Sequence, residues 1–399
     1  MQDDVLLIGV DGGATKVNAW SIRVNPDDTS FSLGRFNAVK AYREIDGFDE
    51  NFTPVVINRQ LDEIDAGAIQ PTAAEQKQGR TYTSACADVI KEIVYMSGVD
   101  KILVGIGMPG LKTEDQRGIA AMANGPRMIN YAEQIENLLE DAGILLVQPI
   151  SHIGSDAYYC GLGEEYDQDG QFRDVQNSYY LGGGTGAADA LKLKGEIILL
   201  DEVKGWFVKT WEMKSPEDLS VEKYVASSGI QLIYASTTGT SVAALNENGI
   251  YPPQIRQRAL DGEKAARETF ERVSLYLAKL LYERVTSIYM GWQGLFDFVN
   301  PNRPVPSKEH NFQKVLYDSI IIGQRLGDLL RDSEGDDILW KPLFRHLSEM
   351  VCTSDCLDET AKAHYCEKDK FKENLIRISK LREAPAIGAG VDAYLSWEK

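Results

Sequence analysis

Ile8-Gly9-Val10-Asp11-Gly12-Gly13-Ala14-Thr15-Lys16 is the stretch on which the reading of this chain turns. Residues 5–10 form a short, β-rich apolar run that the glycines stop, which predicts a strand and a tight turn. Residues 17–24 predict the returning strand of a hairpin. A Gly/Thr turn between strands offers backbone N–H groups and a hydroxyl. Glycine lets the backbone approach a phosphate, and aligned N–H groups form an anion-binding nest. The unit recurs: residues 177–181 predict a strand, Gly182-Gly183-Gly184-Thr185-Gly186 a turn, and residues 187–193 a returning strand. This is an echo of one supersecondary unit, not the short period of a solenoid. One glycine turn is usually only a turn. Two of them, each after a strand and each containing Thr, point to a triphosphate gripped from both sides.

Around these units the pattern alternates strands and helices. Residues 46–80 are polar and read as irregular. Residues 83–98 predict a helix, and residues 101–106 a buried strand closed by Gly107-Met108-Pro109-Gly110. Residues 131–142 predict an amphipathic helix and residues 144–149 a short strand. In the second half, residues 261–290 predict one long helix, residues 318–322 a buried strand closed by Gly323, and residues 341–351 a helix that tolerates Pro342 in its first turn. Residues 300–306, with three prolines, read as a loop, and residues 385–397 as a Pro/Gly-broken entry into an apolar helix.

The chain has 399 residues, a length that predicts two domains. Apolar residues make up 43% and charged residues 26%, which excludes a wholly disordered chain. The net charge of -18 argues against nucleic acid as a partner, because a polyanion would be repelled. A small anion stays possible, since local N–H groups and a metal outweigh a distant field. No apolar run is long enough for a membrane span. Met1-Gln2-Asp3-Asp4 lacks the basic start of a signal peptide. Five cysteines predict no disulfide framework and a cytoplasmic location.

Several side chains carry candidate chemistry. Asp11, at the end of the first strand, reads either as an Asx-turn or as a carboxylate near Mg²⁺, bound through waters. Asp156, in Gly154-Ser155-Asp156-Ala157, reads either as a helix N-cap or as a general base for phosphoryl transfer. Cys352, Cys356, His364 and Cys366 are four soft ligands in one short span, but their spacing is that of no standard zinc knuckle, and reduced thiols are expected. His152 reads as a structural hydrogen bonder. Arg127 and Lys112 read as surface charge near a substrate lip, and residues 46–50 and 164–169 as solvated acidic faces.

In order along the chain, residues 8–16, Gly105-Ile106-Gly107-Met108-Pro109-Gly110, Ala123-Asn124-Gly125-Pro126, Ser155-Asp156-Ala157 with Gly163-Glu164, residues 181–186 with Lys194-Gly195, residues 221–229, residues 320–327 and residues 385–394 resemble the motifs of the ROK family, sugar kinases of the actin/heat-shock/hexokinase superfamily. The resemblance covers most of the chain. It implies an α/β, two-lobed, actin-like (ribonuclease H-like) ATPase fold with mixed sheets flanked by helices and an interlobe cleft. The first lobe would span residues 1–150 and regain the helix 387–399, and the second residues 151–386. The implied activity is ATP- and Mg²⁺-dependent phosphorylation of a sugar hydroxyl, with Asp156 as general base. Asp11, Gly12, Gly13, Thr15, Lys16, Gly183, Gly184, Thr185, Gly323 and Gly388 would bind the nucleotide, Asp11 also the metal, and Gly110, Asn124, Ser155 and Glu202 the sugar. The expected assembly is a homodimer, with neither nucleic acid nor membrane as partner. The chain departs from the family in several places. Ala14 and Ser155 are small replacements. Leu200-Asp201-Glu202-Val203-Lys204-Gly205-Trp206 stands where the family has Gly-Glu-x-Gly-His, and the zinc loop is absent, which leaves the usual sugars in question. Residues 296–312 read as an insertion. A non-catalytic sugar- or nucleotide-binding regulator and an ATPase of the same fold are the alternatives. A DNA-binding repressor is disfavoured, because Asp11 comes too early for a preceding helix-turn-helix.

Overall fold

The computed structural model describes residues 4–25 and 30–397. Met1, Gln2 and Asp3, and residues 398–399 of the expected terminal helix, lie outside the described residues. The chain divides into two units, Met1–Gly170 with Glu383–Lys399, and Gln171–Arg382.

In the first unit, β1 (Leu6–Gly12), β2 (Lys16–Asn25) and β3 (Ser30–Ala41) form an antiparallel meander. β4 (Lys101–Gly107) lies parallel to β1 on its other side, with the short strands β5 (Leu145–Leu146) and β6 (Ile153–Gly154) parallel beyond it. β1 and β4 read as almost continuous apolar runs because both faces are covered. Ile8, Val10, Ile102, Val104 and Ile106 pack with Tyr82, Val89 and Ile93 of the helix α2 (Ala73–Ser97). The alternate residues Leu7 and Leu103 pack with Ile387 and Val391 of the C-terminal helix (Ala384–Trp397). Gly9 and Gly105 lie on that second face, where a Cβ would come within 1.8 Å of Ala386 O and Ala389 O respectively. The two glycines therefore let helix backbone rest on sheet backbone.

Residues 46–80 are not irregular throughout. They hold α1 (Ile57–Asp65) and the first turns of α2. A capping box fixes the start of α2: Thr72 accepts from the Glu75 N–H, and Glu75 accepts from the Thr72 N–H. α3 (Tyr131–Glu140) follows, and α4 (Asp156–Tyr166) also belongs to the first unit, so the division falls at Gly170 and not at residue 150. α4 meets the C-terminal helix backbone to backbone. A Cβ on Gly163 would lie 2.3 Å from Ala384 O, and one on Gly388 2.0 Å from Tyr159 O. Glu164 and Asp167 are buried, not part of a solvated face.

The second unit repeats the plan. β7 (Ser178–Gly183), β8 (Ala187–Leu193) and β9 (Glu196–Ile198) are antiparallel. β10 (Ser319–Gly323) runs parallel to β7, and β11 (Ile376–Ile378) parallel to β10. α5 (Glu222–Val225) and α6 (Ser227–Thr238) follow the hairpin, and the long helix α7 (Lys264–Met290) supplies much of the core. Arg284 of α7 is fully buried and ion-paired with Asp189 of β8 and with Glu283. Asp189 also accepts from Tyr179 Oη at 2.6 Å, from the Thr210 N–H and from Thr210 Oγ1. The expected insertion is partly ordered by pairing: Asp297–Phe298 is antiparallel to Met213–Lys214.

The cysteine expectation is overturned. Cys352 and Cys366 form a disulfide, their Cα atoms 5.9 Å apart. Sequence spacing did not suggest this pair; a local fold brings it together, in which Ser348 Oγ accepts from the Phe371 N–H and Cys366 pairs with Phe371. The cysteine argument for a reducing compartment goes with it. His364 Nε2 bonds Tyr317 O and Cys356 Sγ bonds Gln293 Oε1, so the four residues do not converge on a metal. Among the described residues, no helix is long and apolar enough to cross a membrane.

Candidate active site

β1, β4 and β6 are parallel and in register at their carboxyl ends, with Asp11 beside Gly107 and Gly107 beside Gly154. Ligands of open α/β sheets collect at such ends. The arrangement brings Asp11, the Gly107–Gly110 turn and the start of α4 to one edge of the first unit. Ser155 occupies the N-cap position without a side-chain bond, and Asp156 is the first helical residue, its Oδ1 accepting from the Ala157 N–H at 2.9 Å. Asp156 is thus not the cap. Burial, followed by the charges of Asp156 and Glu383, pushes Asp11 up to about 7, while Lys16 pulls it down. Glu383 escaped the sequence reading because it stands more than 370 residues from Asp11. Asn18 of β2 donates to Glu383 Oε2 at 2.6 Å and holds it there.

The first hairpin turn is built to leave donors free. Tyr42 Oη donates to Gly13 O, Tyr82 Oη to Ala14 O, and the Tyr42 N–H to Thr15 O. The two rings stack at 3.6 Å. Burial pushes Tyr82 up to about 12 and Tyr42 well above the usual tyrosine value, so both hydroxyls stay donors at neutral pH. The Gly13 N–H closes its own turn on Lys16 O. The Ala14 and Thr15 N–H groups are left without a partner among the described residues. Thr15 and Lys16 are exposed.

The second turn follows the same logic with other residues. The Ser227 N–H donates to Gly184 O, Ser228 Oγ to Thr185 O, and the Ala187 N–H to Glu222 Oε1. The Gly184 N–H closes its turn on Gly186 O. The Thr185 and Gly186 N–H groups are unpartnered among the described residues, and both residues are exposed. The donors left for an anion are therefore those of Ala14, Thr15, Thr185 and Gly186, and not those of Gly13 and Gly184. Gly12, Gly183, Gly323 and Gly388 are buried, and each is tightly packed: their Cβ positions would meet Met108 Sδ, Val225 O, Tyr180 Oη and Tyr159 O respectively. Their role in the structure is to admit these neighbours.

The expected sugar residues sit on a braced loop. Gly110 has φ 100°, and a Cβ there would lie 2.5 Å from Ala121 O. Lys112 Nζ donates to Met108 O and Gly110 O, which spends its charge inside the turn. Asn124 is exposed. The loop carrying it is clamped by Gln60 of α1, which takes the Met122 N–H and donates to Met122 O. Arg127 closes the other end. It is not surface charge: it is buried and ion-paired with Glu75 and Glu63, and it donates to Gln70 O. Glu202, in the second unit, is exposed. His152 Nε2 bonds Asp392 Oδ2 at 2.5 Å, and the same oxygen accepts from Tyr159 Oη at 2.7 Å, which ties the loop before Asp156 to the C-terminal helix.

No family model and no curated protein matches the sequence. Solved structures do match over nearly the whole chain. A ROK family glucokinase from Streptomyces griseus, in complex with glucose and AMPPNP, superposes with a TM-score of 0.58 at 14% identity, covering 98% of this chain and 99% of that one. A ROK hexokinase from Thermus thermophilus gives 0.53 at 13% identity over 98% and 99%. A ROK family transcriptional regulator, a homologue of the E. coli MLC protein, gives 0.55 at 12% identity, but 98% of this chain covers only 78% of that one. A likeness at such identities establishes architecture: this chain has the mixed α/β fold of the ROK sugar kinases.

Proposed function

We propose that the protein is an ATP-dependent kinase of a sugar or sugar-derivative hydroxyl. The observation that carries this reading is the pair of turns whose carbonyls are tied down while two consecutive N–H groups in each stay free, together with Asp11 and Asp156 at one strand edge. Ala14 and Thr15 in one turn, and Thr185 and Gly186 in the other, would each bond phosphate oxygens. Asp156 would accept the proton of the sugar hydroxyl as its oxygen attacks the γ-phosphorus and ADP leaves with the bridging oxygen. Asn124 would orient the sugar, with Gly110, Ser155 and Glu202 as further contacts.

The residues fit Mg²⁺ bound in its usual way. Among the described residues no group of three or more His, Cys, Asp or Glu could cage a metal. Mg²⁺ needs no such cage, since it keeps waters and takes one or two carboxylates plus substrate phosphates. Asp11, pushed up by burial and then by the charges of Asp156 and Glu383, would be returned to its ionised form by a divalent cation, which would neutralise charge on the phosphates.

The test is Asp156→Asn in a sugar-dependent ATP turnover assay. The amide keeps the shape and the Ala157 bond. The kcat should fall roughly 10²- to 10⁴-fold with sugar binding retained. Activity within a few-fold of the parent would remove Asp156 from the mechanism, and ATP turnover indifferent to any sugar would point to an ATPase.

A further inference from the structure

Away from the strand edge, the first unit has a groove between α2 and α3 of about 460 Å³. Arg80 and Ser84 of α2, and Asn130, Gln134 and Asn137 at and beyond the start of α3, belong to its polar lining, beside Gln76 and Thr83. Met128, Ile129 and Leu138 supply apolar surface. In a chain of net charge -18, no carboxylate lines this groove. The Arg127 charge is spent on Glu75 and Glu63. Arg80 is exposed and forms no ion pair or hydrogen bond among the described residues, so its guanidinium is the groove's available charge. Amide and hydroxyl side chains beside apolar surface suit a polyhydroxylated body, and a guanidinium suits an anionic head.

We propose that this groove is a second, non-catalytic binding site for a small polyhydroxy compound with one anionic head, a sugar phosphate or a sugar acid. The proposal does not rest on the kinase reading, because neither Asp11 nor Asp156 lines the groove. The loop that floors the groove, residues 127–130, continues the one that carries Asn124.

The experiment is a methyl NMR titration of the full chain labelled at Met, Ile and Leu methyls, with glucose 6-phosphate, gluconate, glucose and inorganic phosphate as probes. Met128, Ile129 and Leu138 report the groove, and Met108, which lies against Gly12, reports the strand edge. Saturable shifts at the three groove methyls with glucose 6-phosphate or gluconate are expected, and the tighter of the two identifies the head group as phosphate or carboxylate. Glucose and inorganic phosphate should each bind about five- to tenfold more weakly. Arg80→Gln, at an exposed helix position, should weaken the anionic probe by the same factor, the loss expected for one charge-assisted bond open to solvent. Asn137→Leu should weaken it independently. Shifts confined to Met108, no shift with either anionic probe, equal binding of glucose, or affinity unchanged in Arg80→Gln would each overturn the proposal.

Discussion

At the residue scale, the two turns show how side chains remote in sequence decide what a glycine loop can bind. The loop residues themselves only permit the turn; Tyr42, Tyr82, Ser227 and Ser228 hold its carbonyls and so free its N–H groups. Gly184→Val should raise the KM for ATP, because the new Cβ would fall 2.6 Å from Gln324 Oε1 and push side chain and turn apart. Nucleotide titrations of the variant check this, and unchanged affinity would argue against the turn as a phosphate site. A second prediction concerns pH. The bond to Asp392 raises the His152 pKa above its ordinary value, ahead of the opposing effect of burial. A raised histidine contributes stability that is full below about 6.5 and is lost as pH climbs through the folded value. Denaturant midpoints of the parent should therefore decline over that interval relative to His152→Asn, whose profile should be flatter there. Parallel profiles would show the ion pair to be energetically silent.

At the element scale, the C-terminal helix and the long helix α7 carry most of the consequences. Gly105→Ala would drive a methyl to within 1.8 Å of Ala389 O, a contact with backbone that cannot rotate away. The expected cost is about 3 kcal/mol, the upper range of overpacking, read from chemical denaturation. In the second unit, Asp189→Ala would strip Arg284 of one of its two buried anions and leave Tyr179 Oη without its acceptor. A loss of about 3 to 5 kcal/mol follows if the charge stays buried and underpaired. A variant as stable as the parent would mean that water or a rearranged Glu283 replaces the lost partner.

At the scale of the whole chain, the first unit is completed by residues from both ends. Deleting residues 383–399 would remove Ile387 and Val391 from their contacts with Leu7 and Leu103 and uncover that face of the first sheet. Loss of the first unit's cooperative transition is expected in calorimetry, and retention would contradict the packing. The disulfide belongs to the second unit alone. It closes a loop with a sequence separation of 14, for which chain entropy predicts about 3 kcal/mol. Cys352→Ser should lower the second unit's stability by up to that amount and leave the first unit's unchanged.

The sequence by itself determined the repeated strand–turn–strand units, the buried strands at 101–106 and 318–322, the long helix ending at Met290 and the terminal apolar helix. Each of these is a local signal: a β-rich apolar run, a glycine stop, or a helical period carried over many residues. It also marked Asp11, Thr15, Thr185 and Asp156. It read residues 46–80 as irregular because α1 and the start of α2 are mostly polar, and Gln60, Glu75 and Arg127 are buried only by pairing with one another and with backbone. Only the tertiary structure decided that the charge of Glu383 acts on Asp11, that Tyr42 and Tyr82 free the first turn, that Arg127 is buried and that Cys352 pairs with Cys366. Such facts depend on which distant groups share a desolvated space. Hydrogen bonding and charge pairing there are set by proximity in three dimensions, to which the order of residues along the chain gives no direct access.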